Sequence, residues 1–353
     1  MLFGDIGEIG AALDLFFQFK TFLFAVYQDM PGACAGHRIL FLRGLSDTRI
    51  TPLPRQCQAP LGLLCRAHLD LRHFPAWALA LFFWLTLHPN LGPTTMRLLL
   101  IGGSGNVGSF CTPYLSPQHQ IRVLDPNPPR HEVDYIKGSI DDPEALNRAF
   151  DGMDAFINMT MRSGQGGFTT DQNQRQIIDN YTVNCLGLHL ALYTACQHGV
   201  KLGIHTSTMT AHDRNRDYYA SEEAVPLDGL SVYGFTKGLG ERICHYFARH
   251  FDMNLAVFRI TGPRARAAFL EEARNPPHYP RPGLYFTDEE DLARAYLAGL
   301  DYVTKGHGRC DEFFISGDAD HREMNMSKAN AILDWQPRSH QLLPPSQESD
   351  KND

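Results

Sequence analysis

The sequence predicts an α/β fold in which a doubly wound parallel sheet begins near Met96. Three observations predict it. The apolar run 97–101 stops abruptly at closely spaced glycines, and a second apolar run, 121–124, ends at Asp125. From there to about residue 337, strand-like and helix-like segments alternate. Parallel strands need a crossover that is usually helical, so this alternation indicates helices on both faces of one sheet.

The glycine-rich turn after the first run is the strongest local signal. Gly102, Gly105 and Gly108 are evenly spaced, and helix-compatible residues begin near Asn106. Glycines there permit a tight turn, let a diphosphate approach the backbone, and let the helix pack close to the strand. The free N–H groups of that helix then face the phosphates. We interpret the turn as the diphosphate site of a dinucleotide.

Asp125 supports that interpretation, because it lies twenty residues after Gly105 at the end of the second strand. A carboxylate there can accept hydrogen bonds from the adenosine ribose hydroxyls and repel a 2′-phosphate. The cofactor is therefore predicted to be NAD rather than NADP. Arg122 and Arg130 are close in sequence and are the cations that would weaken this preference.

The other core elements follow from local patterns. Asp142 and Pro143 are suited to the cap and the first residue of a helix. Gly199 is suited to end a long helix that begins near Gln174 and runs to about His198. Further strands are predicted at 134–138, 154–159 and 201–206, and a loop near the cofactor at 163–173.

Residues 1–95 do not read like the rest of the chain. Their apolar patches keep no helix or strand period, and the run 76–87 is shorter than the roughly 20 residues that a membrane helix needs. A membrane-contacting arm, a small extra domain and sequence outside the folded unit are the three interpretations. The last is favoured, because Met96 directly precedes the first strand, as a start codon assigned too far upstream would produce. The polar tail, 338–353, is predicted to be disordered.

Composition excludes several classes of function. The net charge of −7, with 20% charged residues, gives no basic footprint for nucleic acid. The eight cysteines are scattered, without a CxxC pair or a Cys/His cluster at zinc spacing, so no metal site is predicted and a reducing cytoplasm fits best. No membrane partner is expected. The GxSxG and GxxxxGK[ST] motifs are absent, which removes the simplest hydrolase and P-loop interpretations.

A second group of polar residues follows the predicted fifth strand. Thr208 lies where open α/β sheets place their ligands, and Tyr233 and Lys237 follow at a helical i, i+4 spacing. A phenol ordinarily titrates at about pH 10, so a nearby ammonium and an oxidised nicotinamide are needed to favour the phenolate. Tyr233 is then a candidate acid/base, and the Thr208 hydroxyl can hold the substrate oxygen.

The region from Met96 to about Pro337 resembles the extended short-chain dehydrogenase/reductase superfamily, which has a Rossmann-type sheet, and within it the NAD-dependent epimerase/dehydratase family. The motifs that carry the resemblance are Gly102–Gly108, Asp125, Gly138–Asp142, Val183–Gly187, Thr206–Thr208, Tyr233–Lys237 with Glu241, Arg259–Pro263, Met326–Ala329 and Trp335–Pro337. They are specific for the superfamily and not for the substrate.

The resemblance implies a role for each site residue. Asp125 would hold the adenosine ribose, Lys237 the nicotinamide ribose, and Tyr233 with Thr208 would move the proton. Asn184 would support the site from the long helix. The diphosphate and adenine would be held by Gly102, Ser104, Gly105, Asn106, Val107, Gly108, Ser139 and Ile140. Two departures stand out: the family usually has an acid at 139, and small residues where this chain has Thr160 and Met161.

The substrate side is predicted to be a small C-terminal lobe, mainly 262–337. Only about two dozen residues separate Pro263 from the helix start at Asp288. A compact lobe is similar to that of uronate dehydrogenases, whereas relatives that bind nucleotide sugars commonly carry a longer insertion. Its basic residues are either a solvated loop or partners for a substrate anion; they are Arg264, Arg266, Arg274 and Arg281.

The expected function is an NAD-dependent oxidoreductase or epimerase that acts on a sugar, a sugar acid or a nucleotide sugar. A net dehydrogenase, an epimerase and a dehydratase share the first hydride transfer and stay open. A homodimer is a further expectation. The alternative is a non-catalytic NAD(P)-binding sensor or scaffold on the same fold, although a sensor has no need of Thr208, Tyr233 and Lys237 together.

Overall fold

The computed structural model describes residues 95–162, 172–213, 215–274 and 286–339. The chain divides into two units, Met1–Leu87 and His88–Asp353, and every described residue belongs to the second. The interpretations of the segment before Thr95 therefore lie outside the described residues. No helix of the described ranges is long and apolar enough to cross a membrane.

Seven parallel strands form one sheet, as the alternating pattern predicted. The strands are β1 Arg97–Ile101, β2 Gln120–Asp125, β3 Asp134–Lys137, β4 Ala155–Asn158, β5 Leu202–Thr208, β6 Asn254–Ile260 and β9 Cys310–Ile315. In spatial order they run β3-β2-β1-β4-β5-β6-β9, and each neighbouring pair is parallel. The chain leaves β1 on one side for β2 and crosses back for β4, so their carboxyl ends border the crevice where such sheets bind ligands.

Helices cover both faces of this sheet. They are α1 Asn106–Leu115, α2 Pro143–Phe150, α3 Gln174–Asn180, α4 Leu188–Gln197, α5 Val232–Phe251, α6 Arg266–Arg274, α7 Glu289–Thr304 and α8 Ser327–Leu333. Leu98 and Leu100 of β1 point to a core shared with α1, α7 and α8, whereas Leu99 and Ile101 point to a core shared with α2, α4 and α5. A strand that is apolar on both faces is what a doubly covered parallel sheet requires.

The long helix predicted from Gln174 to His198 differs from a continuous α-helix. Asn173 caps its start in a reciprocal pair with Gln176, and Gly199, with a φ of 72°, follows its end. Between α3 and α4, however, residues Tyr181–Gly187 form a π-helical turn. Buried Asn184 lies in this turn and donates to Thr236 Oγ1 of α5 at 3.0 Å. Short π-helical turns within α-helices are frequently found at functional sites.

The predicted boundaries otherwise shift by one or two residues. Asp142 caps α2 by accepting from the backbone of Glu144 and Ala145, and Pro143 is the first helical residue. Strand β5 is longer than predicted, so Thr208 is its last residue. Most of the predicted loop, residues 163–171, lies outside the described residues.

The segment predicted as a substrate lobe is interleaved with the sheet. Short strands β7 Pro263–Arg264 and β8 Thr287–Asp288 form a separate two-stranded sheet, whereas β9 completes the main sheet. The first residues of the predicted tail are held in place, because the backbone N–H groups of Arg338 and Ser339 both donate to Asp291. The remaining tail residues, from 340, lie outside the described residues.

Candidate active site

The glycine turn joins β1 to α1 in a conformation that larger residues would not allow. Gly102 has a φ of 80°, a region that costs L-residues free energy. A Cβ on Gly108 would lie 2.2 Å from the carbonyl oxygen of Gly103, so only glycine permits this approach of helix to turn. Helix α1 begins at Asn106 without a side-chain cap among the described residues. Its first N–H groups therefore face outward as an anion site.

Asp125 lies beside the turn, at the end of β2, and is buried. Its Oδ2 accepts from the backbone N–H of Ser104 at 3.3 Å, and its Oδ1 accepts from that of Asn127 at 2.9 Å. The Ser104 hydroxyl donates to the Asn127 carbonyl oxygen at 2.7 Å. Turn and carboxylate thus form one rigid unit, and each carboxylate oxygen keeps a lone pair for a further donor.

The two residues predicted near adenine occupy different environments. Ile140 is buried and packs against the π-helical turn, since a Cβ on Gly187 would lie 2.5 Å from its Cγ2. The Ser139 hydroxyl donates to Asp141 Oδ1, so it is already paired. The family usually has an acid at 139. In this chain the nearest carboxylate is that of Asp141, the hydrogen-bond partner of Ser139.

Tyr233 and Thr208 are brought together at the carboxyl edge of the sheet. Thr208 ends β5, and Tyr233 lies in the first turn of α5, whose start is capped by the Ser231 hydroxyl. Burial raises the pKa of Tyr233 to about 12, and a hydrogen bond with the Thr208 side chain opposes that rise. Desolvation thus disfavours the phenolate, and the lowering predicted from the sequence depends on a nearby ammonium and an oxidised nicotinamide.

Lys237 lies one turn further along α5 and is fully buried. Its Nζ donates to the carbonyl oxygen of Thr160, the second residue after β4, at 3.4 Å. Burial lowers its pKa to about 8, against the opposing effect of nearby side chains that include Glu241. A lysine with a pKa this close to neutrality is unusual for structure alone, and such groups are concentrated at functional sites.

A dinucleotide fits along the carboxyl edge of the sheet. It would be held by the glycine turn, the uncapped start of α1, Asp125 and buried Lys237. A model of the NAD dependent epimerase/dehydratase family matches residues 98–275, half of the chain. The chain belongs to this family. Members of it are enzymes, and NAD is the cofactor.

Two relatives show the range of the epimerase/dehydratase family. A UDP-glucose 4-epimerase of Halalkalibacterium halodurans is 26% identical over 233 residues, which cover 62% of this chain and 67% of the relative. An NAD-dependent glucose-6-phosphate dehydrogenase of Haloferax volcanii is 22% identical over 273 residues, which cover 69% and 93%. A solved mutated uronate dehydrogenase has a TM-score of 0.55 at 20% identity, covering 73% and 90%, and supports the fold.

A buried charge network lies behind the candidate site, and its residues are far apart in sequence. Arg259 of β6 donates from Nε and Nη2 to the carboxylate of Glu241 on α5, the closest contact being 2.7 Å. Ser207 Oγ donates to the same carboxylate at 2.5 Å. The network links β5 and β6 to α5 and fixes the strand that carries Thr208. Ser207 and Arg259 are register partners on adjacent strands. A local sequence pattern does not reveal this pairing.

Two of the four arginines considered as partners for a substrate anion, Arg264 and Arg266, are engaged within the protein. Arg266 forms a two-point ion pair with buried Asp288, both contacts being 2.7 Å. Arg264 donates to Glu272 at 2.9 Å and stacks on the Phe286 ring. Arg281 and the side chain of Arg274 lie outside the described residues. Met161, the residue after Thr160, does not point into the core, because half of its surface is exposed.

Proposed function

We propose that the chain oxidises a carbinol of a small sugar or sugar acid with NAD, using Tyr233 as the acid/base. The observation that carries the proposal is the pairing of Thr208 with buried Tyr233 one turn from Lys237. A phenol and a hydroxyl that share a hydrogen bond can both reach one substrate oxygen. A protein that only binds the nucleotide has no use for such a pair.

Each side chain has a distinct task in this proposal. The Thr208 hydroxyl donates to the substrate oxygen and orients it. Tyr233 takes the carbinol proton as the C–H bond breaks, so proton and hydride leave the same carbinol and a carbonyl remains. Lys237 binds the nicotinamide ribose and stabilises the phenolate. When bound, NAD supplies the hydride acceptor and, in its oxidised form, a positive charge. The glycine turn holds the diphosphate of NAD, and Asp125 holds its adenosine ribose.

The size of the substrate is inferred from the segment after β6. Between β7 and β8 the chain carries α6 and eleven further residues that lie outside the described ranges. Arg264 and Arg266 are paired internally, so neither is a free cation for a nucleotide diphosphate. A free sugar, sugar acid or sugar phosphate is favoured over a nucleotide sugar.

A substrate screen tests this function. The full-length protein is incubated with NAD and hexoses, hexose phosphates, hexuronates or UDP-sugars, while reduced nicotinamide and epimer formation are both followed. Reduction of NAD by a sugar without a nucleotide is expected. Turnover that requires the uridine moiety would show that the substrate has been assigned wrongly.

NAD should bind at least roughly tenfold more tightly than NADP, a difference of about 1.4 kcal/mol. A 2′-phosphate would lie against the Asp125 carboxylate. Arg122 does not offset the repulsion, because its guanidinium is bound to Asp134 and to the carbonyl oxygens of Ala149 and Asp151. Titration of both nucleotides measures the preference, and Asp125→Ser should narrow it. Equal affinities in the parent protein would contradict the role of Asp125.

Residues 1–95 are proposed to be dispensable for folding and cofactor binding. Strand β1 begins at Arg97, immediately after Met96, and the sheet and glycine turn are complete from that point. A chain starting at Met96 should therefore bind NAD with the affinity of the full chain and unfold at the same temperature. Calorimetry and thermal melting of both chains give the comparison. Loss of folding in the shorter chain would refute the proposal.

The expected homodimer is also retained as a proposal. The surface of α3, α4, α5 and the π-helical turn carries several exposed large apolar side chains: Ile178, Tyr181, Leu186, Tyr193 and Tyr246. A groove of about 320 Å³ runs between these helices. A second copy packed on this surface would remove these side chains from water.

A further inference from the structure

A buried polar pair joins β4 to β5. Asn158 ends β4, and His205 is its register partner on β5; both side chains are buried. Asn158 Nδ2 contacts His205 Nδ1 at 3.1 Å. The preceding partners, Ile157 and Ile204, are apolar. Replacing both partners of a buried hydrogen bond by apolar groups of the same shape can be nearly neutral, so packing alone does not require this pair.

The direction of this hydrogen bond is fixed by Thr160, two residues further along the chain. The backbone N–H of Thr160 donates to Asn158 Oδ1 at 3.1 Å, and the Thr160 hydroxyl donates to the same oxygen at 2.8 Å. A backbone N–H can only donate, so the Asn158 oxygen must face Thr160 and its NH2 group must face His205. His205 Nδ1 is therefore the acceptor, and the ring is neutral with its proton on Nε2.

The electrostatic surroundings of His205 agree with a neutral ring. Burial lowers its pKa well below the usual value, and the nearby Lys237 ammonium lowers it further. Nε2 has no hydrogen-bond partner among the described residues. Only the Nδ1 edge of the ring therefore makes a defined polar contact, and that contact holds Asn158.

Thr160 connects this pair to both halves of the cofactor site. Its carbonyl oxygen accepts from Lys237 Nζ at 3.4 Å. Its backbone also lies against the glycine turn, because a Cβ on Gly102 would approach Thr160 N to 3.0 Å. A shift of this one residue would therefore move the lysine anchor and press on the diphosphate turn.

We propose that His205 and Asn158 are positioning residues of the cofactor site: His205 Nδ1 orients the Asn158 amide, Asn158 holds Thr160, and Thr160 fixes Lys237 against the glycine turn. Neither residue is placed in contact with the nucleotide. The inference rests on the proposed function for the place where NAD binds.

The test compares NAD dissociation constants, measured by calorimetry, for full-length variants at position 205. His205→Phe keeps a ring of similar size but removes the acceptor, and should weaken NAD binding by about tenfold, as expected when a buried donor loses its partner. In His205→Asn the side-chain oxygen is attached where Nδ1 was, so binding should recover. In His205→Gln the oxygen lies one bond further out, so binding should stay weak.

A matched control comes from His119. It is also buried, and its Nδ1 accepts one hydrogen bond, from Met96 N at 3.3 Å, but it precedes β2 at the opposite edge of the sheet. His119→Phe should leave NAD affinity unchanged, and thermal melting confirms that each variant folds. If His205→Phe does not fold, the comparison of Asn with Gln carries the test.

The outcomes separate this inference from the proposed function. A parent protein that binds no NAD would overturn both. A parent that binds NAD, together with normal affinity in His205→Phe, equal affinities of the Asn and Gln variants, or an equal loss in His119→Phe, would overturn the positioning role alone.

Discussion

Tyr233→Phe is expected to lower turnover by about 10²–10⁴-fold, the usual contribution of a positioned acid/base. The phenyl ring preserves the packing of a side chain that is buried in the first turn of α5. What is lost is the oxygen that takes the carbinol proton. The affinity for NAD should change little, because the glycine turn and Asp125 are untouched. Turnover with a substrate found in the screen, and NAD binding by calorimetry, give the two readouts.

Tyr296→Phe is the matched control for this loss. Tyr296 is fully buried and its hydroxyl shares a hydrogen bond with Thr206 at 2.7 Å, two residues before Thr208 on the same strand. Tyr296 and Thr206 therefore form a second buried tyrosine–threonine pair, which takes no part in the proposed chemistry. Turnover should survive in this variant. Near-normal turnover in Tyr233→Phe would mean that another group moves the proton.

Lys237→Met should lose activity and NAD affinity and yet gain stability. The pKa of Lys237 falls from 10.5 to about 8, so burying its charged form costs on the order of 3 kcal/mol. An apolar side chain of similar length avoids that cost. At pH 7 the variant should therefore melt several degrees above the parent protein. Such an exchange of stability for function is common at active sites.

The gain in melting temperature of Lys237→Met should become smaller as pH rises. Below about pH 8, Lys237 is charged in both the folded and the unfolded chain, so the parent bears the full cost. As pH rises from 8 towards 10.5, the folded chain releases the proton first, and the parent recovers stability relative to the variant. The difference in melting temperature should shrink over this window. Lys201→Met, which removes a hydrogen bond to the Phe251 carbonyl oxygen, should show no gain at pH 7. A gain for Lys237→Met that is absent or independent of pH would contradict the buried charge.

The fold was largely predictable because its signals are local. The glycine turn, the Asp142 cap and the alternation of strands with helices each depend on a few neighbouring residues. The structure confirms the parallel sheet and the helices on both faces. The π-helical turn at Tyr181–Gly187 was not predictable, because it accompanies a hydrogen bond from Asn184 to Thr236, fifty-two residues away.

The site was predictable in part for the same reason. Thr208 follows a predicted strand, and Tyr233 and Lys237 are one helical turn apart, so both signals are local. The structure brings all three residues to the carboxyl edge of the sheet. The Asn158–His205 pair depends instead on the register of adjacent strands. The sequence does not show the burial of Tyr233, which raises the pKa of its phenol against the hydrogen bond from Thr208. Arg266 is a loop cation in sequence, but the fold places Asp288 against it.

A crystal structure of the full-length protein with NAD tests the account most directly. The diphosphate should lie on the turn from Gly102 to Gly108, with the adenosine ribose on Asp125. The nicotinamide ribose should lie within hydrogen-bond reach of Lys237, with the Tyr233 hydroxyl and Thr208 beside the nicotinamide ring. A diphosphate bound elsewhere, or a nicotinamide ring directed away from Tyr233, would contradict the proposed site.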